Sequence, residues 1–300
     1  MDQPAAGPIA DVATRIDTAG GRWLEAETIV SVPSERAFRE IATGKGISSW
    51  FCAAAVEPEV GGALTLYLDP VSEPGTAAAE ESASRGEITE YRAPSAFGPG
   101  RFAYVERDWM GPGLPVDPWI TEFEVSEAAA GSPAGATRIS LRSGFDKDSH
   151  LAGESIAPSI EGWAQSLTAL AHRLDTFPDG DVRIVAAAAE PAARSVTDRW
   201  AAALSALGIS ASAAPGDSFS TAGRVGRVAG TVLRIADGSG VFALAAPHTG
   251  TLSLQCYPAG ESAEQATTHS ALGARVASPD LAAAEAWDEQ RWSRWVESLG

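Results

Sequence analysis

The chain has 300 residues, of which 39 are acidic and 22 basic, giving a formal net charge of −17. A polyanion of this size repels phosphate backbones and anionic headgroups, which excludes nucleic-acid binding and polybasic membrane docking. With 45% hydrophobic residues, 9 Trp and 9 Phe, there is ample apolar surface to bury, so global disorder is excluded as well.

In chain order, residues 1–20 combine Pro, Gly and Ala without a sustained period and read as a flexible tail. They hold no basic start and no apolar stretch of signal length. From Arg22 a strand begins. Leu24, Ala26, Thr28, Val30 and Val32 share one face, with Glu25 and Glu27 on the other. Pro33-Ser34 opens a short helix with Ala37, Phe38 and Ile41 on one side, broken at Gly44 and Gly46. A second short turn ends in Trp50-Phe51.

Successive short strands follow at 53–57, 63–68, 85–91, 101–109, 120–125 and 137–143, separated by turn signals. Residues 71–83 read as a solvated loop of Ala, Ser and Glu. Such a run argues for an antiparallel meander. Then the period changes. Ile156, Ile160, Trp163, Leu167, Leu170, Leu174 and Phe177 recur at alternating intervals of 4 and 3, which is one face of a long helix over 154–177. Pro158 fits only within the first turn of such a helix.

Residues 178–182 read as a linker. Beyond it come a strand near 182–187 and an amphipathic helix carrying Val196, Trp200, Ala203, Leu204 and Leu207. Strand-like runs follow at 228–235, 241–245, 251–257 and 268–277. A final helix from Pro279 carries Leu281, Ala284, Trp287, Trp292, Trp295 and Leu299. The order strand, helix, strands, helix repeats that of the first unit, so 183–300 reads as a shortened, degenerate second copy. The charge is uneven between the two. Residues 1–180 hold 27 acids and 13 bases, while residues 181–300 hold 12 and 9.

The organisation expected is therefore α+β, with a tail at 1–20, a larger domain at 21–178 and a smaller companion at 183–300. Lysine occurs only at Lys45 and Lys147, and asparagine is absent. Both point to a GC-rich, bacterial genome. Cys52 and Cys256 are the only cysteines, too few for a disulfide framework. No apolar run reaches about 18 residues, so a cytoplasmic protein without a membrane span is expected.

The first unit carries Val32-Pro33-Ser34 with Ala37-Phe38, Trp50-Phe51, and Val60-Gly61-Gly62. Gly86-Glu87-Ile88, Thr137-Arg138-Ile139, Ser143-Gly144-Phe145, and Gly162-Trp163 with Leu167 and Leu170 complete the set. In this order and spacing, residues 22–177 resemble the START-like (SRPBCC) helix-grip superfamily. More closely they resemble the family of the C-terminal domain of the Hsp90 ATPase activator. The resemblance implies a curved antiparallel sheet wrapped around a long C-terminal helix. Aromatases, cyclases, hydrolases and an Hsp90 co-chaperone are activities it brings with it as alternatives. Residues 183–300 show no Trp-Phe or Gly-Gly counterpart.

A curved sheet around one helix leaves a space, and an unfilled space becomes an apolar pocket with a few polar groups. The inward positions Trp50, Leu64, Leu66, Phe102, Tyr104, Phe123, Leu141, Trp163 and Leu167 are the expected ligand-binding residues. The same alternation fits a fully packed core. Tyr104 stands out, since a buried phenol needs a hydrogen-bond partner. Glu106 alternates with Phe102 and Tyr104, which singles it out among the strand carboxylates as a general base or ligand anchor. Glu87, Glu90, Glu122 and Glu124 read as outward and solubilising.

Other chemistry is poorly signalled. His150, His172, His248 and His269 stand in no metalloprotease or nucleophile-elbow motif. His172 reads as flanking the long helix's seam. Asp146, Asp148 and His150 form a D-x-D-x-H cluster that reads as a solvated loop rather than a metal site. GRVGRVAG at 223–230 lacks the Lys-Ser/Thr of a phosphate loop. Cys52 has no neighbouring base and reads as a small buried hydrophobe. No cofactor and no metal are expected. The function expected is binding of a small hydrophobic molecule with no assigned reaction. A protein partner or self-association would use the companion domain, through its tryptophans.

Overall fold

The computed structural model describes residues 11–17, 22–69, 74–110, 115–129, 131–146, 149–223, 226–259, 268–286 and 289–299. The chain separates into two units, Ala10–Thr176 and Phe177–Gly300.

The first unit is built on strands β1 (Ala13–Ile16), β2 (Trp23–Val30), β3 (Ala53–Val56), β4 (Ala63–Tyr67), β5 (Ala83–Arg92), β6 (Gly100–Glu106), β7 (Trp119–Glu127) and β8 (Thr137–Gly144). Between β2 and β3 lie helices α1 (Ser34–Ala42) and α2 (Gly44–Trp50). Helix α3 (Ala77–Glu81) precedes β5, and α4 (Ala152–Thr176) follows β8. The sheet order is β1-β2-β8-β7-β6-β5-β4-β3, and every pairing is antiparallel. Thus β3 to β8 run as a meander, and β2 closes onto its last strand. Strands β7 and β8 bury alternate residues, which assigns one face to a core and the other to solvent.

Helix α4 is 25 residues long, about 37 Å at ~1.5 Å per residue, and packs on β1, β2 and α2. Its apolar seam joins the inward sheet residues in a single core. Asp175 near its end accepts the Ser31 N–H at 2.5 Å, tying it to the chain leaving β2. Pro158 is its seventh residue, deeper than the first turn that the sequence reading allowed, so one helical hydrogen bond is forgone there.

The short helices are tied together and to α4. The Thr43 hydroxyl donates to Arg39 O at 2.8 Å and accepts from Gly46 N at 3.0 Å, ending α1 and capping α2. Gly46 was read as a breaker. It instead allows close approach, because a Cβ there would lie 2.6 Å from Glu40 Cα. Glu40 accepts from Ser49 Oγ at 2.7 Å and pairs with Arg173 of α4 at 3.2 Å, both partners being buried.

Three sequence readings change here. Ala13–Ile16, expected in a tail, is an edge strand on β2. Residues 77–81, expected in a loop, form α3, whose first turn is capped by Thr76. His172, expected on a flank, is buried at 8% exposure.

The second unit comprises β9 (Arg183–Ala192), α5 (Val196–Ala206), β10 (Ser218–Gly223), β11 (Gly226–Ala236), β12 (Ser239–Ala246), β13 (Gly250–Pro258) and β14 (Ser270–Ser278). Helices α6 (Leu281–Ala286) and α7 (Glu289–Leu299) end it. Its sheet order is β10-β11-β12-β13-β14-β9, antiparallel throughout. As β2 pairs with β8 in the first unit, β9 pairs here with β14, the last strand of a meander, and helices follow both of these strands. The single final helix expected from Pro279 is two helices, and Trp287 lies outside the described residues. Trp292 and Trp295 are buried in this unit's core with Trp200, Phe219 and Phe242, so neither offers a surface patch to a partner. No helix among the described residues is long and apolar enough to cross a membrane.

Candidate functional site

The inner face of the first sheet holds six of the nine residues singled out as a ligand surface, with Trp50 facing it from α2 and Trp163 and Leu167 from α4. Trp50, Leu64, Leu66, Phe102, Tyr104, Phe123, Leu141, Trp163 and Leu167 are buried in one cluster. Aromatic rings run through it. Trp163 stacks on Phe51 at 5.3 Å and 16°, and it meets Phe123 edge-on at 5.9 Å. Phe123 meets Trp50 at 6.4 Å, and Phe102 meets Tyr104 at 5.5 Å. Phe51 was not among the expected lining residues. Its place follows α2, where the strand alternation gives no guide.

A polar row crosses this apolar face at one end of the sheet. Glu106 stands opposite Gly86 on β5 and Trp119 on β7, and Tyr104 stands opposite Ile88 and Thr121. Ser143 on β8 stands opposite Thr121. Glu106 accepts from Ser84 Oγ at 2.5 Å. Trp119 Nε1 donates to Ser143 Oγ at 2.7 Å, and the hydroxyls of Ser143 and Thr121 are 2.9 Å apart. On its β5 side Glu106 faces Gly86. A Cβ there would lie 2.5 Å from Val105 O, so no larger residue fits this pairing.

Burial sets the protonation of both acids. Glu106 is pushed up from 4.5 to about 7 by desolvation, opposed by the Ser84 hydrogen bond. Tyr104 is raised well above 10.0 by burial and then by the neighbouring Glu106 carboxyl. Near neutral pH the site therefore holds a phenol and a carboxyl that is part protonated. On the same inner face, buried Thr28 Oγ1 has no partner among the described residues. The sequence reading found Tyr104 and Glu106 by alternation but missed Ser84, Thr121, Trp119 and Ser143. Their signal was present, as polar residues on strand faces otherwise apolar, but reading it requires the cross-strand register.

The outer face is different. A surface cavity of about 400 Å³ lies there, on the side of the sheet opposite the expected pocket. Its walls include Arg15, Glu25, Glu90, Arg101, Glu124 and Arg142. Most of its charges are already matched. Arg101 pairs with Glu124, Arg138 lies 3.2 Å from Glu124, and Arg142 lies 3.8 Å from Glu122 and over the Trp23 ring. This is an ion-pair lattice on a solvated face.

The remaining candidates do not converge. Asp146 and His150 are exposed, and Asp148 lies outside the described residues. Among the described residues no three His, Cys, Asp or Glu side chains stand together as a metal site. The glycines of 223–230 lie in the β10–β11 hairpin, with Gly223 opposite Gly226. His248 is buried in the second unit, its Nδ1 3.2 Å from Thr249 O. Cys52 is only half-buried.

No family model and no curated protein matches the chain. The likeness to the Hsp90-activator family therefore rests on sequence motifs alone. Among solved structures, the di-domain ARO/CYC BexL from the BE-7585A biosynthetic pathway is 15% identical, with a TM-score of 0.39 over 92% of this chain and 95% of that one. DynU16, from the dynemicin biosynthetic locus, is 13% identical, with a TM-score of 0.36 over 93% and 97%. CalU16 from Micromonospora echinospora is 16% identical, with a TM-score of 0.35 over 57% of this chain and 86% of that one.

Proposed function

We propose that residues 22–177 are a START-like helix-grip domain that binds a small, mostly apolar molecule between α4 and the inner sheet face. The observation that carries this reading is the pair Tyr104 and Glu106, buried at 3% and 7% exposure in a largely apolar wall. Burying a carboxyl costs several kcal/mol unless something is gained by it, on the order of the ~2–7 kcal/mol found for lone polar groups. A polar anchor for a ligand is such a gain. The nine inward residues supply the apolar contact. The companion unit, whose six strands follow the order of β4 to β8 and β2 and whose interior is filled by Trp200, Trp292 and Trp295, is a degenerate copy of the first unit.

The test is binding of 2-ethylnaphthalene, followed through quenching of Trp50 and Trp163 fluorescence. Saturable one-site binding that is weakened by Leu167→Trp, which fills the same space, is expected. Linear, non-saturating quenching by a folded protein would exclude the site.

One observation favours a second reading, proton transfer on the bound molecule. A carboxyl with a pKa near 7 is matched to general acid or base work at neutral pH. That reading requires Glu106→Gln to abolish turnover of a bound substrate while leaving its affinity intact.

A further inference from the structure

In the second unit the turn joining β12 to β13 carries a buried histidine that the ligand site does not use. His248 is 4% exposed, and its ring stands at 75° to the Trp292 indole of α7, with centroids 6.2 Å apart. Its Nδ1 lies 3.2 Å from Thr249 O. A carbonyl only accepts, so Nδ1 carries the hydrogen of the neutral ring and Nε2 is left as an acceptor. Nε2 is sealed from solvent and has no hydrogen-bond partner among the described residues. Trp292 is fully buried and meets Trp295 at 5.2 Å, so the histidine rests on the face of α7 that enters the core.

The turn itself is held. Ser278 Oγ donates to Thr249 O at 2.7 Å and accepts from Asp280 N at 3.2 Å, which ties the end of β14 to the same carbonyl. His248 therefore stands between a fixed turn and a terminal helix. A neutral ring leaves one acceptor bare there. A protonated ring adds an N–H at Nε2 with no acceptor and puts a charge into an apolar core, which costs far more.

We propose that His248 is an acid-released latch, which holds α7 against the core of the second unit while its ring is neutral and frees that helix when the ring takes a proton. The Asp280 carboxylate favours the protonated ring, but it is exposed and its Oδ1 accepts the Ala283 N–H at 3.0 Å. Arg183, opposite Ser278 on β9, is exposed, as are Glu285 of α6 and Arg291, Arg294 and Glu297 of α7. Arg275 lies on the other face of β14 from Ser278. Strands β12 and β13 carry no Asp, Glu, Lys or Arg. Burial outweighs Asp280 and holds the ring below its ordinary 6.5. The latch is thus fully closed above about 6.5 and loosens as pH falls.

The experiment is amide hydrogen exchange on the full chain at pH 7.5 and pH 4.5, with labelling times scaled for the intrinsic pH dependence of exchange. In the parent, protection over 289–299 should fall about tenfold at pH 4.5, with α5 of the same unit changing less. His248→Gln, which has no ring to protonate, should show equal protection at both pH values. An equal fall in parent and variant, a fall that α5 shares equally, no fall in the parent, or tighter protection at pH 4.5 would each overturn the latch. If the variant fails to fold, the His248 Cε1 proton resonance of the parent decides. A titration midpoint below 6.5 together with the loss of α7 protection is expected, and a midpoint at or above 6.5 would overturn it.

Discussion

Glu106 and His172 are two buried titratable groups of one core, and they pull stability in opposite directions. Glu106 has a folded pKa of about 7 against an ordinary 4.5. Its raised value means that stability is fully present below about 4.5 and is lost as pH rises through about 7, a loss of roughly 3 kcal/mol. His172 is lowered by burial from 6.5 to about 4. Its contribution is present above 6.5 and is lost as pH falls through about 4. The two windows overlap, so each group masks the other. Urea denaturation at pH 4 and pH 8 should show Glu106→Gln gaining about 3 kcal/mol relative to the parent at the higher pH. His172→Gln should gain relative to the parent at the lower pH. Parallel curves for variant and parent would show that neither group titrates in the folded core. Alternation with Phe102 and Tyr104 put Glu106 on the inner face from sequence alone. Its depth was not legible, because the end of a strand is commonly solvated and only the Ser84 pairing shows otherwise. His172 was misjudged because a residue beside a helical seam is buried or not according to what packs over it.

Helices α1, α2 and α4 are joined by a buried charge pair that no local pattern announces. Glu40 and Arg173 are 133 positions apart, and Ser49 and the Trp50 Nε1 donor to Glu40 O complete the junction. Removing one partner strands the other charge out of water, which costs about 3–5 kcal/mol. Arg173→Met should therefore lower the unfolding free energy of the first unit by that amount. The double variant Arg173→Met, Glu40→Leu should recover a large part of it. A double variant no better than the single would mean that the pair is not isolated from solvent. Long elements with strong periods were readable: the 4-3 spacing of α4, and the faces of β7 and β8. Elements that bury little were not. All four residues of β1 are exposed, and β10 has Phe219 as its one large apolar residue, so neither offers an alternation to read. Gly46 was misread because glycine signals a break and a close approach in the same letter.

Taken as a whole, the chain is two units, each built on one antiparallel sheet, of eight strands in the first and six in the second. Apolar periodicity predicted both sheets in outline but could not separate a ligand surface from a filled core, since each uses the same residues on the same faces. On the inner face of the first unit the apolar pattern is crossed by a polar row of Ser84, Tyr104, Glu106, Thr121 and Ser143. The acidic excess of the N-terminal portion is partly taken up by arginine on the outer sheet face, and it is separate from this row. The most direct measurement is a crystal structure of the full chain soaked with 2-ethylnaphthalene, in which the ring system is expected between Trp163 of α4 and the inner sheet face. Density confined to the charged outer cavity, or none at a saturating concentration, would contradict it.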